Sequence, residues 1–148
     1  MSTARRIVLA VTLCVGGLAV IAASAPNVLS ATATPTRSAT VTVKMIGDAK
    51  GYRFEPAQIT VHAGDSIEFQ SVTGGPHDVT FWADSIPAGA AKQLQANMPN
   101  TTAPLSGPLL INDGDKYTIS TAKLTPGTYK FYCMPHLPMG MRGVLVVQ

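Results

Sequence analysis

The sequence predicts an all-β fold: an antiparallel sandwich of about eight short strands with one short helical turn. Three observations predict it. Apolar and polar residues alternate with period two in a series of short runs, the pattern of strands buried on one face. Gly 13 and Pro 11 punctuate those runs with turns and argue against a helical bundle. A length of 148 residues suits one domain and is too short for a (β/α)8 barrel.

Taken in chain order, Val41, Val43 and Met45 alternate with Thr42 and Lys44 and mark the first strand. Ile59 and Val61 alternate with Thr60 and His62, and Ala63-Gly64-Asp65 forms the turn that follows. Ile67 and Phe69 alternate with Glu68 and Gln70. Val79 and Phe81 follow His77 after the turn Gly74-Gly75-Pro76. Tyr117 and Ile119 alternate with Thr118 and Ser120. Tyr129, Phe131 and Cys133 share one face, with Lys130 and Tyr132 on the other, and Val144 and Val146 end the chain. Pro126-Gly127 and Pro138 add further turns. The exception is Pro87 to Pro108, a long loop in which Ala88 to Met98 has the Ala, Lys, Gln and Leu content of a helix. No internal repeat is present.

Ahead of the strands the chain reads as an export segment. Arg5 and Arg6 precede an uncharged stretch from Ile7 to Ala25. Its length is marginal against the ~20 apolar residues a bilayer needs. Ala23-Ser24-Ala25 offers small residues for cleavage, with Ser24 and Ala33 as other sites, so residues 1–25 are a removed signal or a retained membrane anchor. Cys14 belongs to the core of that segment. Residues 26–39, rich in Ala, Thr, Ser and Pro, form a tether, and the folded domain spans residues 40–148.

Charged residues are 13%, about half of the usual ~25% of a soluble domain. With 46% hydrophobic residues, disorder of the whole chain is excluded. The net charge of +3 is scattered and excludes the basic stripe of a nucleic-acid binder. Loss of Arg5 and Arg6 lowers that charge by two, leaving shape and apolar contact as the main means of recognition.

Removing the signal leaves Cys133 as a single cysteine in an oxidising compartment, where a lone thiol pairs with another chain, reacts or binds a metal. Cys133 ends a strand, His136 follows three positions later and Met141 five beyond that. His77 lies upstream, just before another strand. One thiolate, two imidazoles and one thioether can therefore converge at one end of a sandwich. Soft sulfur ligands select copper, imidazole suits both its oxidation states, and a His2Cys site with a weak axial Met is the blue-copper arrangement. Pro135 and Pro138 stiffen the loop by fixing φ, so the ligands shift little when the metal changes oxidation state.

Several residues carry a plainer reading. Alternation turns His62 outward, as a surface residue. Met134 and Met139 read as apolar filling or surface, with Met139 the rival of Met141 for the axial place. Trp82 reads as packing, Arg142 as a solvated or docking charge. Tyr132 points opposite to Cys133, as a sheet-face aromatic or a second electron route.

From about Val41 to Gln148 the chain resembles the plastocyanin-type cupredoxins. The residues that carry the resemblance are Gly-Pro-His-Asp-Val at 75–79, Phe-Trp-Ala-Asp-Ser-Ile-Pro-Ala-Gly at 81–89 and Pro-Gly-Thr-Tyr-Lys-Phe-Tyr-Cys at 126–133. The Cys-x2-His-x4-Met spacing and Gly143-Val144-Leu145-Val146 add to it. The resemblance implies an eight-strand Greek-key sandwich and one-electron carriage by a single copper, with ligand roles for His77, Cys133, His136 and Met141. Asp78 stands where the family more often has Asn, and Pro87 to Pro108 is longer than in photosynthetic plastocyanins.

The expected function is that of an exported electron carrier, a monomer in the periplasm or, in a photosynthetic host, the thylakoid lumen. It makes and breaks no substrate bond and is not an enzyme. The ring edge of His136, framed by Leu137, Pro138 and Met139, is the expected docking point for a cytochrome or copper enzyme. A copper chaperone or scavenger, suggested by Met134, Met139 and Met141, is the second reading. A zinc hydrolase is disfavoured, because Asp78 is the one carboxylate in the ligand loops and a general base is hard to place.

Overall fold

The computed structural model describes residues 38–148. The export segment 1–25, Cys14 and nearly all of the 26–39 tether lie outside the described residues. Eight strands form two four-stranded sheets. They are β1 (Thr40–Asp48), β2 (Gly51–Glu55), β3 (Gln58–Val61), β4 (Ser66–Thr73), β5 (Thr80–Phe81), β6 (Lys116–Ser120), β7 (Gly127–Tyr132) and β8 (Arg142–Val147). One sheet has the order β2-β1-β4-β6, the other β3-β8-β7-β5.

The expected sandwich is present, with one refinement. The hairpin pairs and β4–β6 are antiparallel, but β1 pairs with β4 and β3 with β8 in parallel. Period-two patterning marks which face of a strand is buried and carries no strand direction, so the sequence could not distinguish these pairs. The strand β2 escaped the sequence reading as well. It returns from β1 through a two-residue turn, with Asp48 opposite Gly51. The Asp48 carboxylate accepts the Lys50 N–H at 2.8 Å and the Arg53 guanidinium at 2.8 and 3.1 Å.

The alternating residues do fill the space between the sheets. Phe131 stands at its centre, with ring centroids 4.8 Å from Phe54, 5.5 Å from Phe69 and 5.6 Å from Phe81. Such offset and edge-on pairs contribute about 0.5–1.5 kcal/mol each beyond area burial. Tyr129 is fully buried, and its hydroxyl donates to Thr125 O at 2.6 Å, which pins the turn before β7.

The long connection between β5 and β6 carries α1 (Ala91–Asn97). Ala90, Leu94 and Met98 are buried and lie four residues apart, on one face of the helix. Gln95 Oε1 accepts the Leu105 N–H at 2.6 Å and fastens the helix to the returning chain. That return sets Leu110 beside His77, where two backbone hydrogen bonds of 2.7 and 2.9 Å join them. No helix among the described residues is long and apolar enough to cross a membrane.

Candidate metal centre

Three of the four expected ligands meet at one end of the sandwich. The donor atoms of His77, Cys133 and His136 all lie within 4.8 Å of one another. The Cys133 Sγ is 3.7 Å from His77 Nδ1 and 3.3 Å from His136 Nδ1. Cys133 and His77 are fully buried and His136 is 5% exposed. Met141 is fully buried and belongs to the same loop: its N–H donates to His136 O, and its carbonyl accepts the Cys133 N–H, each at 3.2 Å.

The loop is short and closed on itself. The His136 N–H donates to Cys133 O at 3.2 Å and the Met139 N–H to His136 O at 3.0 Å. A 3-10 turn over Leu137–Met139 ends at Gly140, whose φ of 84° lies in the left-handed region that glycine enters without strain. The other side of the centre depends on two more glycines. A Cβ on Gly74 would stand 2.6 Å from Gly47 Cα, so the turn before His77 lies backbone against backbone on β1. Gly47 also leaves the space into which the Tyr52 ring fits.

The ring nitrogens are sorted by their partners. His77 Nε2 lies 3.0 Å from Thr73 O. A carbonyl can only accept, so Nε2 carries the proton and the Nδ1 lone pair is left facing Cys133. Burial, helped by the nearby His77, lowers the pKa of His136 and favours its neutral, electron-donating ring. Burial pushes the Cys133 thiol up to about 11, while the Asp78 N–H, 3.5 Å from Sγ, works against that rise. A metal entering here must displace the thiol proton.

Asp78 joins the two ligand segments. Its Oδ1 accepts the Met134 N–H and its Oδ2 the Thr80 hydroxyl, which is 2.7 Å from Ser106 Oγ. Burial raises its pKa despite these hydrogen bonds. A buried acceptor between the loops is the service that residue 78 provides, and a carboxylate performs it as an amide oxygen would.

The residues with plainer readings are distributed as follows. His62 is exposed, at the rim of its turn, 3.9 Å from the Asp65 carboxylate. Met134 and Met139 are about half exposed. Tyr132 faces outward and packs on Trp82, centroids 4.4 Å apart. Arg142 is not simply solvated: its guanidinium carbon is 5.7 Å from the Trp82 ring centroid.

One residue of this centre was missed. Tyr52 stacks on His136, with centroids 3.8 Å apart and planes inclined by 14°. The face of the His136 ring is therefore covered, and the expected surface opening is reduced to its 5% exposure. The signal in the sequence was faint. Tyr52 and Phe54 alternate with Arg53 after Gly51, but the run is too short to declare a strand, and β2 belongs to the other sheet, so Tyr52 meets His136 only across the sandwich.

The donor set fits copper: one cysteine sulfur and two imidazoles within reach of one another match its preference for soft sulfur and imidazole ligands. Comparisons with known proteins agree. Residues 41–148 match the family model described as copper binding proteins, plastocyanin/azurin family. The chain is 37% identical over 116 residues to the plastocyanin of Prochlorothrix hollandica, covering 78% of this chain and 79% of that one. It is 40% identical over 131 residues to the chloroplastic plastocyanin of Physcomitrium patens, covering 88% and 68%. Among solved structures, the oxidised plastocyanin of Dryopteris crassirhizoma superposes with a TM-score of 0.54 at 36% identity, covering 73% of this chain and 100% of that one. On its fold, its cluster of two histidines and a cysteine, and these matches, the chain belongs to the plastocyanin/azurin family of copper-binding proteins.

Proposed function

We propose that this protein carries single electrons between redox partners, with His77, Cys133, His136 and Met141 as the ligands of one copper ion. Copper, when bound, supplies the one-electron couple. The chain's own residues supply the rest. Thr73 O and the buried position of His77 hold one imidazole with Nδ1 forward. The closed Cys133–Met141 loop resists spreading, which keeps the geometry common to both oxidation states. No nucleophile or general base is required, so the reading is of a carrier and not an enzyme.

The observation that carries this reading is the convergence of the three donors within 4.8 Å in a buried pocket. The surface above supports a docking role. Of the five large apolar side chains with high exposure among the described residues, Met134 and Met139 lie in the ligand loop. Leu109 and Ile111 flank Leu110, whose backbone pairs with His77. Exposed apolar side chains gathered at one end mark an interaction surface. A cytochrome or copper enzyme fits it through a weak, small contact that permits turnover. The Arg5-Arg6 and apolar 7–25 pattern supports export to the periplasm or a thylakoid lumen, with the segment removed or kept as an anchor.

Cupric salt added to the mature chain should produce an intense visible thiolate-to-metal band that ascorbate bleaches. Cys133→Ser should abolish it. A colourless loaded protein refutes the reading. The half-exposed residues Met134 and Met139, each with a thioether, favour a second one, a copper chaperone or scavenger. A cuprous chelator separates the two: a carrier retains its metal, whereas a chaperone surrenders it readily.

A further inference from the structure

The outer face of the β3-β8-β7-β5 sheet bears a groove of about 560 Å3 that the metal centre does not use. Strand alternation builds its floor. Phe131, Leu145 and Val147 turn inward, which turns Lys130, Tyr132, Arg142 and Val144 outward. The chain after β5 forms one wall: the Trp82 N–H donates to Lys130 O at 3.2 Å, and the Lys130 N–H to Ser85 O at 3.1 Å. The start of β3, at Gln58, forms the other.

Two properties of the groove point to what it takes. The first is its charge. Arg53 and Lys116 are held in ion pairs on the opposite sheet. Lys130 and Arg142 have no ion pair among the described residues. Asp84 is the one acid lining the groove, and it accepts the Ser85 hydroxyl at 3.1 Å without pairing with either cation. Most other acids are engaged elsewhere, as Asp65 is by the N–H groups of Ala39 and His62, and Asp115 by those of Ile111 and Asn112.

The second is preorganisation. Trp82 packs on Tyr132 with centroids 4.4 Å apart, and the Arg142 guanidinium carbon lies 5.7 Å from the Trp82 ring centroid, a contact that restrains the side chain while its N–H groups have no hydrogen-bond partner among the described residues. Trp, Tyr and Arg are the side chains that dominate binding energy at interfaces. Ordering them in advance lowers the entropy lost on association. A planar guanidinium with a free edge pairs two-pronged with a carboxylate, and an ammonium adds a second point charge.

We propose that this groove is a docking site for a carboxylate-rich segment of a partner protein, seated on Trp82 and gripped by Arg142 and Lys130. It is a second contact surface, separate from the apolar end of the molecule, and does not depend on the electron-carrier reading.

The chain has Trp 1, so tryptophan emission reports on the groove alone. Hexaglutamate titrated into the full-length, copper-loaded, reduced protein should change that emission saturably. The effect should weaken sharply between about 50 and about 200 mM salt, as exposed charge pairs are screened. The double variant Lys130→Gln/Arg142→Gln should bind at least about tenfold more weakly, since it removes both cations. Should that variant melt early, Asp84→Asn provides a second test, because removing the one acid should tighten binding. Three results overturn the proposal: no response to hexaglutamate, an equal response in the double variant, or an equal response to hexalysine. Saturation by inorganic phosphate at the same concentration also overturns it, since the groove would then be a general anion site. The visible band of the loaded protein is read in the same samples, so failure of the metal centre and failure of the groove are told apart.

Discussion

Asp78 is the joint between the two ligand-bearing segments, and removing its oxygens tests whether that joint matters. Asp78→Ala leaves the Met134 N–H without its acceptor, while Thr80 keeps Ser106. An orphaned, partly buried donor costs about 1–3 kcal/mol. The loss is moderated because burial raises the Asp78 pKa, so the charge itself is held at a cost that alanine removes. A net destabilisation of about 1–2 kcal/mol follows, or roughly 4–10 °C in a domain of this size. Asp78→Asn keeps an oxygen for the Met134 N–H and sheds the buried charge, so it should melt at or above the parent. In the copper-loaded form the alanine variant should also hold metal at least about tenfold less tightly, as other outer-shell losses do. Thermal unfolding by circular dichroism and competition with a metal chelator measure the two effects. An alanine variant that melts with the parent and retains copper equally would refute the role assigned to this carboxylate.

Two further perturbations test the fold that supports the centre. Tyr117 is buried, its hydroxyl has no hydrogen-bond partner among the described residues, and burial pushes its pKa from 10.0 to about 12. The folded state thus holds the proton more tightly than the unfolded one. Stability should be full below pH 10 and fall as pH rises from there to about 12, by about 3 kcal/mol for this group. Tyr117→Phe should lose that part of the alkaline slope and equal or exceed the parent at neutral pH; denaturant unfolding curves that stay parallel over this range would contradict it. Gly74→Ala forces a side chain onto a residue at φ 76° and against Gly47, so it should cost about 1–3 kcal/mol and alter the visible band by displacing His77. An unchanged melting temperature would show that the turn can yield.

The strand faces were legible in the sequence because burial on one side imposes a period of two, and Val43, Met45, Ile67, Phe69, Ile119 and Phe131 all turn inward as that period requires. The helix within 88–98 was legible from composition, and the grouping of Cys133, His136 and Met141 in one loop from their nearness in the chain, with their ligand roles implied by the family resemblance. Three things were not. Strand direction left no trace in the pattern, so the parallel β1–β4 and β3–β8 pairs emerged only from the fold. His77 was picked out in the sequence, but its place was not legible: it lies 56 residues from Cys133, and the packing of Gly74 on Gly47 and the Leu110 bridge set its Nδ1 3.7 Å from the sulfur. Tyr52 over His136 and Arg142 over Trp82 are contacts between residues far apart in sequence. Local residue chemistry determines which groups are available as ligands. Long-range packing decides which of them meet, because distances between side chains on different strands are set by sheet register and not by chain spacing.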